Sequence, residues 1–155
     1  MDELARQVGA ALKARGLSLV TAESCTGGWV AMALTAIPGS SDWFERGYVT
    51  YSNAAKREEL GVGEATLERH GAVSEETARE MAAGALKSGR GQVALAITGV
   101  AGPTGGTRDK PVGTVCFAWA QGSKISSRTK RFDGDRDSVR RQSVVHALQG
   151  VLELL

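Results

Sequence analysis

The apolar positions of this chain fall into two rhythms that alternate along its length. Near the start, Leu4, Val8, Ala11 and Leu12 recur at helical spacing, and Gly16 follows as a stop. "LSLVTAE" then predicts a partly buried strand. Thr26 to Ala36 predicts a helix, ended by "IPGSS". "WFERGYVTYS" carries the β-formers Tyr48, Val49, Thr50 and Tyr51 ahead of a polar turn. Asn53 is placed to cap a short helix through Leu60. "GVGEATLERHG" reads as a turn and another short helix. Ser74, followed by Glu75, Glu76 and Thr77, opens a helix to about Lys87.

The second half begins with "QVALAITG", an unbroken apolar run of the kind a central strand shows when both its faces are covered. "GVAGPTGGTRDKP" is a long glycine loop. "VGTVCFAWA" and "ISSRTKRFDG" read as consecutive strands joined at "QGSK" in a hairpin. "DRDSVRRQSVVHALQGVLELL" closes the chain as a helix, with Val139, Ser143, His146, Ala147 and Gly150 on one side. Helices before, between and after strands predict an α/β fold, a three-layer α/β/α sandwich. The late hairpin makes the sheet mixed rather than purely parallel.

The length of 155 residues fits a single domain, residues 1–155, and no repeat or linker interrupts it. Only 5% of residues are aromatic, which argues against a base-stacking surface for nucleic acid. The net charge of +2 conceals a basic stretch: Lys124 to Arg141 holds seven Lys or Arg and three Asp. Such a stretch suits a small phosphate at least as well as a polynucleotide. Two cysteines without a C-x-x-C and two scattered histidines give neither a disulfide framework nor metal-ligand spacing, so no metal and no cofactor are expected. No apolar run is long enough to span a membrane, and the charged N-terminus is no signal core. The expectation is a cytoplasmic protein in a reducing compartment.

Candidate chemistry concentrates at "TAESCTGGW". Ser24 stands where a buried strand gives way to a helix, followed by Cys25, Thr26, Gly27 and Gly28. Unpaired N–H groups at a helix start are able to hold a developing oxyanion, and glycines let a substrate approach the backbone. Ser24 or Thr26 is equally able to serve as a simple N-cap. Cys25 is a rival nucleophile, with His70 and His146 as the available imidazoles. Ser24 needs a base, and "YVTYSNAAK" offers Lys56, a cation in the first turn of its helix, against the dipole preference. Bringing a lysine from about 10.4 to the neutral range takes on the order of 4 kcal/mol, more than a dipole supplies, so burial must contribute. Tyr51 stands ready to relay a proton or to fix the amine.

The glycine loop, with Thr98, Gly99, Gly102, Gly105 and Gly106, lacks the Lys-Ser/Thr ending of a P-loop; it suits a ribose phosphate or a planar ring held by backbone N–H groups. Arg136, Arg140 and Arg141 open the last helix as candidate phosphate ligands.

"TAESCTGGW", "GSSDWFERGYVTYSNAAK", "HGAVSEETA", "ITGVAGPTGGT", "KPVGTV" and "GDRDSVR", in this order, resemble the CinA C-terminal domain family from about Leu4 to Leu148. The resemblance implies an α/β/α sandwich and hydrolysis of the carboxamide of nicotinamide mononucleotide to nicotinic acid mononucleotide and ammonia. It implies Ser24 as nucleophile, Lys56 as base and Tyr51 beside them, without metal. It also implies a nucleotide as the small-molecule partner and a homodimer or other homo-oligomer. The molybdopterin-binding-like domain of longer family members has no counterpart in these residues. A catalytically silent nucleotide-binding module and a Cys25 hydrolase are the alternatives.

Overall fold

Five strands form one sheet in the order β2-β1-β3-β4-β5 in the computed structural model, which describes residues 1–155. β1 (Leu19–Glu23), β2 (Phe44–Val49) and β3 (Val93–Gly99) run parallel. β4 (Thr114–Gln121) returns antiparallel to β3, and β5 (Lys124–Arg131) antiparallel to β4, so the sheet is mixed as the hairpin requires. Helices α1 (Asp2–Ala14), α2 (Trp29–Thr35) and α6 (Arg136–Leu154) cover one face. Helix α5 (Glu75–Gly89) covers the other, with α3 (Asn53–Leu60) and α4 (Glu64–His70) beside it. This is the three-layer sandwich. No helix is long and apolar enough to cross a membrane.

Strand alternation sorts the core into two unlike halves. Leu19, Val93, Leu95, Ile97, Phe117 and Trp119 point toward α1, α2 and α6. Val20, Ala22, Ala94, Ala96, Cys116, Ala118 and Ala120 point toward α5, which answers with Ala78, Ala82 and Ala85. Small residues on both sides let α5 lie close against the sheet. β5 is the outer strand on the hairpin side; most of its residues are exposed, and Lys124, Arg128, Lys130 and Arg131 lie along it.

Three boundaries differ from the sequence reading. Helix α2 starts at Trp29, not Thr26, because Gly27 and Gly28 take φ of 60° and 100°, outside the right-handed helix. Helix α3 is capped by Ser52, whose hydroxyl accepts the Ala55 N–H at 3.0 Å, so Asn53 is its first residue rather than its cap. Lys56 is therefore the fourth helical residue, one place further into the helix than an Asn53 cap would put it. β2 stops at Val49, which leaves Thr50 and Tyr51 in the connection to α3.

His146 lies on the buried side of α6, as its spacing predicts. Its ring packs edge-on against Phe117 at 4.6 Å and Trp119 at 5.7 Å, and its Nε2 has no hydrogen-bond partner. Burial, then the Lys130 and Arg128 charges, push it down to about 4, with Glu153 opposing. An unfolded histidine titrates near 6.5, so protonation favours the unfolded chain. The contribution is whole above about 6.5 and is lost as pH falls toward 4. Urea midpoints measured between pH 7.5 and 4.5 will fall for the wild type; they will fall less for His146→Phe, which carries a ring but no proton site.

Candidate active site

The C-terminal ends of β1, β2 and β3 meet on one edge of the sandwich, with β1 between the other two. In open α/β sheets this edge, where strand order reverses, is where ligands bind. The chain leaves β1 as Ser24, leaves β2 as Thr50 and Tyr51 on the way to Lys56, and leaves β3 as the glycine loop. Residues far apart in sequence are thus gathered by topology.

Lys56 is the largest fully buried side chain in the protein, 1% exposed, and makes no ion pair. Its Nζ lies 3.0 Å from Ser24 Oγ, 3.0 Å from the Thr50 carbonyl and 3.0 Å from the Tyr51 carbonyl. Both carbonyls only accept, so each takes one N–H. The third neighbour is a hydroxyl, which both donates and accepts. As an ammonium Lys56 donates to all three oxygens; once a proton is given up, two N–H groups remain for the carbonyls and the lone pair is free to accept the Ser24 O–H. Burial lowers the Lys56 pKa from the ordinary lysine value, opposed only by the nearby Cys25. The amine is thus disposed to lose a proton and aimed at the oxygen that has one to give.

Ser24 is 7% exposed, and its own N–H is held by the Ile97 carbonyl at 2.9 Å. After it the chain turns tightly, with the Gly27 N–H on the Ser24 carbonyl at 3.0 Å. The N–H groups of Cys25, Thr26 and Gly28 find no acceptor within the protein. Those of Val30 and Ala31, at the head of α2, are taken by the Glu23 carboxylate at 2.9 and 3.1 Å. The candidate oxyanion donors therefore sit in the turn itself, and the helix start proper is already occupied. That revises the expectation of an oxyanion hole made by a helix beginning at Thr26.

Cys25, beside Ser24, is buried. Burial chiefly drives its thiol up to about 12, which opposes formation of a thiolate. His146 is in the core, and His70 pairs with Glu76 at 3.3 Å on the far end of α4.

The three arginines separate. Arg136 donates to the Gly102 carbonyl at 2.7 Å and reaches the Tyr51 hydroxyl at 3.4 Å, bridging the glycine loop and the Tyr51 side chain. Arg140 donates to the Cys25 and Thr26 carbonyls, both at 3.1 Å, so two of its nitrogens are spent on the serine turn. Arg141 lies outside, over the Trp29 ring at 5.2 Å and 3.8 Å from Asp137. Thr26, Gly27, Gly28, Trp29, Met32 and Arg140 line an open cavity of about 350 Å³.

The glycine loop is pinned rather than free. Gly113 N–H reaches the Val100 carbonyl at 2.8 Å, Thr107 N–H the Lys110 carbonyl at 2.9 Å, and the Lys110 amine the His70 carbonyl. Thr98 is buried with its hydroxyl on the Ala72 carbonyl at 2.8 Å, and Gly99 packs against the start of β4. Gly105 and Gly106 stay exposed at the loop tip. A larger cavity, about 630 Å³, opens between α5 and the β4–β5 hairpin and holds none of Ser24, Tyr51 or Lys56.

Comparison with known proteins finds relatives along nearly the whole chain. The model of the CinA C-terminal domain matches residues 1–155. The chain is 60% identical over 149 residues to the nicotinamide-nucleotide amidohydrolase PncC of Escherichia coli strain K12, covering 95% of this chain and 90% of that one. It is 52% identical over 151 residues to the PncC of Pseudomonas putida, covering 97% and 94%. The crystal structure of the competence/damage inducible protein CihA from Agrobacterium tumefaciens superposes with a TM-score of 0.96 at 46% identity, covering 99% of this chain and 94% of that one.

Several residues of the site escape a reading by motif: Glu23, the Thr50 carbonyl and Gly84. Gly84 on α5 faces the last carbonyl of α3, and a Cβ there would lie 1.9 Å from Leu60 O. Leu60 is one helical turn beyond Lys56, so this contact sets the depth of α3 and with it the reach of the amine. Gly84→Ala is expected to destabilise the protein by about 1–3 kcal/mol, the usual cost of overpacking. It should also lower kcat at least about tenfold at temperatures where the variant remains folded, because small displacements of reacting groups are costly. Thermal melts and steady-state turnover check both parts.

Proposed function

From its membership of the CinA C-terminal domain family and from the site at the end of β1, we propose that this protein hydrolyses the carboxamide of nicotinamide mononucleotide, giving nicotinic acid mononucleotide and ammonia. The observation that carries the chemistry is the contact of 3.0 Å between a buried, unpaired amine and a serine hydroxyl. In this reading Lys56 takes the Ser24 proton as Oγ attacks the carboxamide carbon. The N–H groups of Cys25 and Thr26 receive the developing oxyanion. Lys56 returns the proton to the departing nitrogen, ammonia leaves, and water cleaves the ester on Ser24, Lys56 again serving as base. Tyr51 acts through its carbonyl, which orients the amine, while its exposed phenol beside Arg136 faces the substrate side. Arg136 and the exposed loop tip at Gly105 and Gly106 hold the nucleotide phosphate and ribose. No step calls on a metal or cofactor.

The same reading places the enzyme in the cytoplasm, in pyridine nucleotide recycling, as a homo-oligomer. Exposed Met32 and Val49, both against Gly28 in the serine turn, support an assembly face close to the site.

Ammonia release from nicotinamide mononucleotide tests the proposal. Ser24→Ala and Lys56→Met are expected to lose at least about 10³-fold in kcat/KM, and Cys25→Ala to stay within about fivefold of wild type. A dead Cys25→Ala that still folds would point to the thiol instead, and binding without turnover by wild type to a silent nucleotide module. The acid limb of kcat/KM should follow Lys56: activity rises with pH as the amine deprotonates, with a midpoint below the ordinary lysine value. A limb at that ordinary value would exclude Lys56 as the perturbed base.

A further inference from the structure

Glu23 is buried to 1% exposure at the end of an otherwise uncharged strand, directly before the nucleophile, and no step above uses it. Its carboxylate accepts three hydrogen bonds, from Thr26 Oγ1 at 2.7 Å, Val30 N at 2.9 Å and Ala31 N at 3.1 Å. Strand alternation sends Glu23 toward α2 and Ser24 toward α3, so the carboxylate lies on the opposite side of the backbone from the amine. It caps α2 from within the strand, which the N-cap residue itself, Gly28, has no side chain to do.

From the other direction, Arg140 holds the carbonyls of Cys25 and Thr26. In a trans peptide the C=O and the following N–H point opposite ways. Fixing the Cys25 carbonyl therefore fixes the direction of the Thr26 N–H. Tying the Ser24 carbonyl to the Gly27 N–H fixes that of Cys25 in the same manner.

We infer that Glu23 is a positioning residue for hydrolysis. By occupying the head of α2 and the Thr26 hydroxyl, it locks the serine turn so that the N–H groups of Cys25 and Thr26 face the reacting carbonyl, with Arg140 as the counter-clamp. This rests on the amidase reading for its kinetic consequence, but the clamp itself is a property of the folded chain. A pure field effect has the opposite sign: a negative charge near a developing oxyanion opposes it, so removing the charge would speed the reaction.

Glu23→Gln separates the two. The amide retains one acceptor but presents N–H groups to the Ala31 N–H, so one clamp contact becomes a clash of donors. The expected result is a kcat lower by about 10- to 100-fold, a fraction of the loss on deleting an oxyanion donor outright. KM should stay within about twofold, and the pH midpoint of kcat/KM should not move, because Lys56 is untouched. Amide hydrogen exchange across residues 24–31 should accelerate in the variant while the rest of the sheet stays protected. Thr26→Val, which removes one of the three contacts, should shift kcat and local exchange the same way by a smaller factor, and keeps the test open if Glu23→Gln fails to fold. An unchanged or raised kcat in Glu23→Gln overturns the inference. So does a loss in which KM, the pH midpoint and global protection move together. If wild type releases no ammonia, the amidase reading fails, and faster exchange confined to residues 24–31 in the variants still supports the clamp.

Discussion

A lysine amine without a carboxylate, shut inside the protein and held by two main-chain carbonyls, is the constraint around which this molecule is arranged. Burying an ammonium unpaired is costly, and the inexpensive escape is to give up the proton. The two carbonyls come from Thr50 and Tyr51, the residues where the chain leaves β2 before α3 begins. They hold two N–H groups of the amine, and its third neighbour is the Ser24 hydroxyl. The connection between β2 and α3 thus fixes the Lys56 amine as firmly as any side chain does. It also explains why α3 must be seated so closely on α5.

On the far side of the same backbone a second polar group is buried under different terms. Glu23 is surrounded by donors, one hydroxyl and two helix-head N–H groups, whereas Lys56 meets only neutral oxygens and no carboxylate. The end of β1 therefore lies between two unlike polar environments, divided by the backbone that carries Ser24. Alternation along β1 is the device that keeps them separate.

Much of this was legible in the amino-acid sequence. The five strands, the hairpin and the order of helices follow from periodicity and turn residues, most clearly in α1, β3, α5 and β4, which bury regular faces. Ser24 and Lys56 stood out as candidates, the first from its place before two glycines, the second from a cation in the wrong turn of a helix, and the fold brings them within 3.0 Å of each other. The rest was hidden for physical reasons. Local propensity does not report that Gly27 and Gly28 take positive φ, so the start of α2 is misjudged by a turn. Ser52 and Asn53 are both good caps, and only the geometry chooses. The arginines look alike as a cluster, yet Arg136 bridges to the glycine loop, Arg140 holds the serine turn, and both Arg140 and Arg141 lie over the Trp29 ring, contacts set by which segments pack against each turn of α6. Glu23 gave a faint signal, an acid closing the strand "LVTAE", which has meaning only once α2 is seen to lack a capping side chain.

The outer strand β5 carries a further consequence. Its free N–H and C=O groups are a template on which another chain could add, the standing hazard of an open sheet. Lys124, Arg128, Lys130 and Arg131 line that margin, so two copies brought together there would set cation against cation. The free charges along that margin oppose growth of the sheet, with Arg128 drawn aside to Glu153. That leaves the margin of β2, the one that borders the serine turn, as the side less guarded by charge.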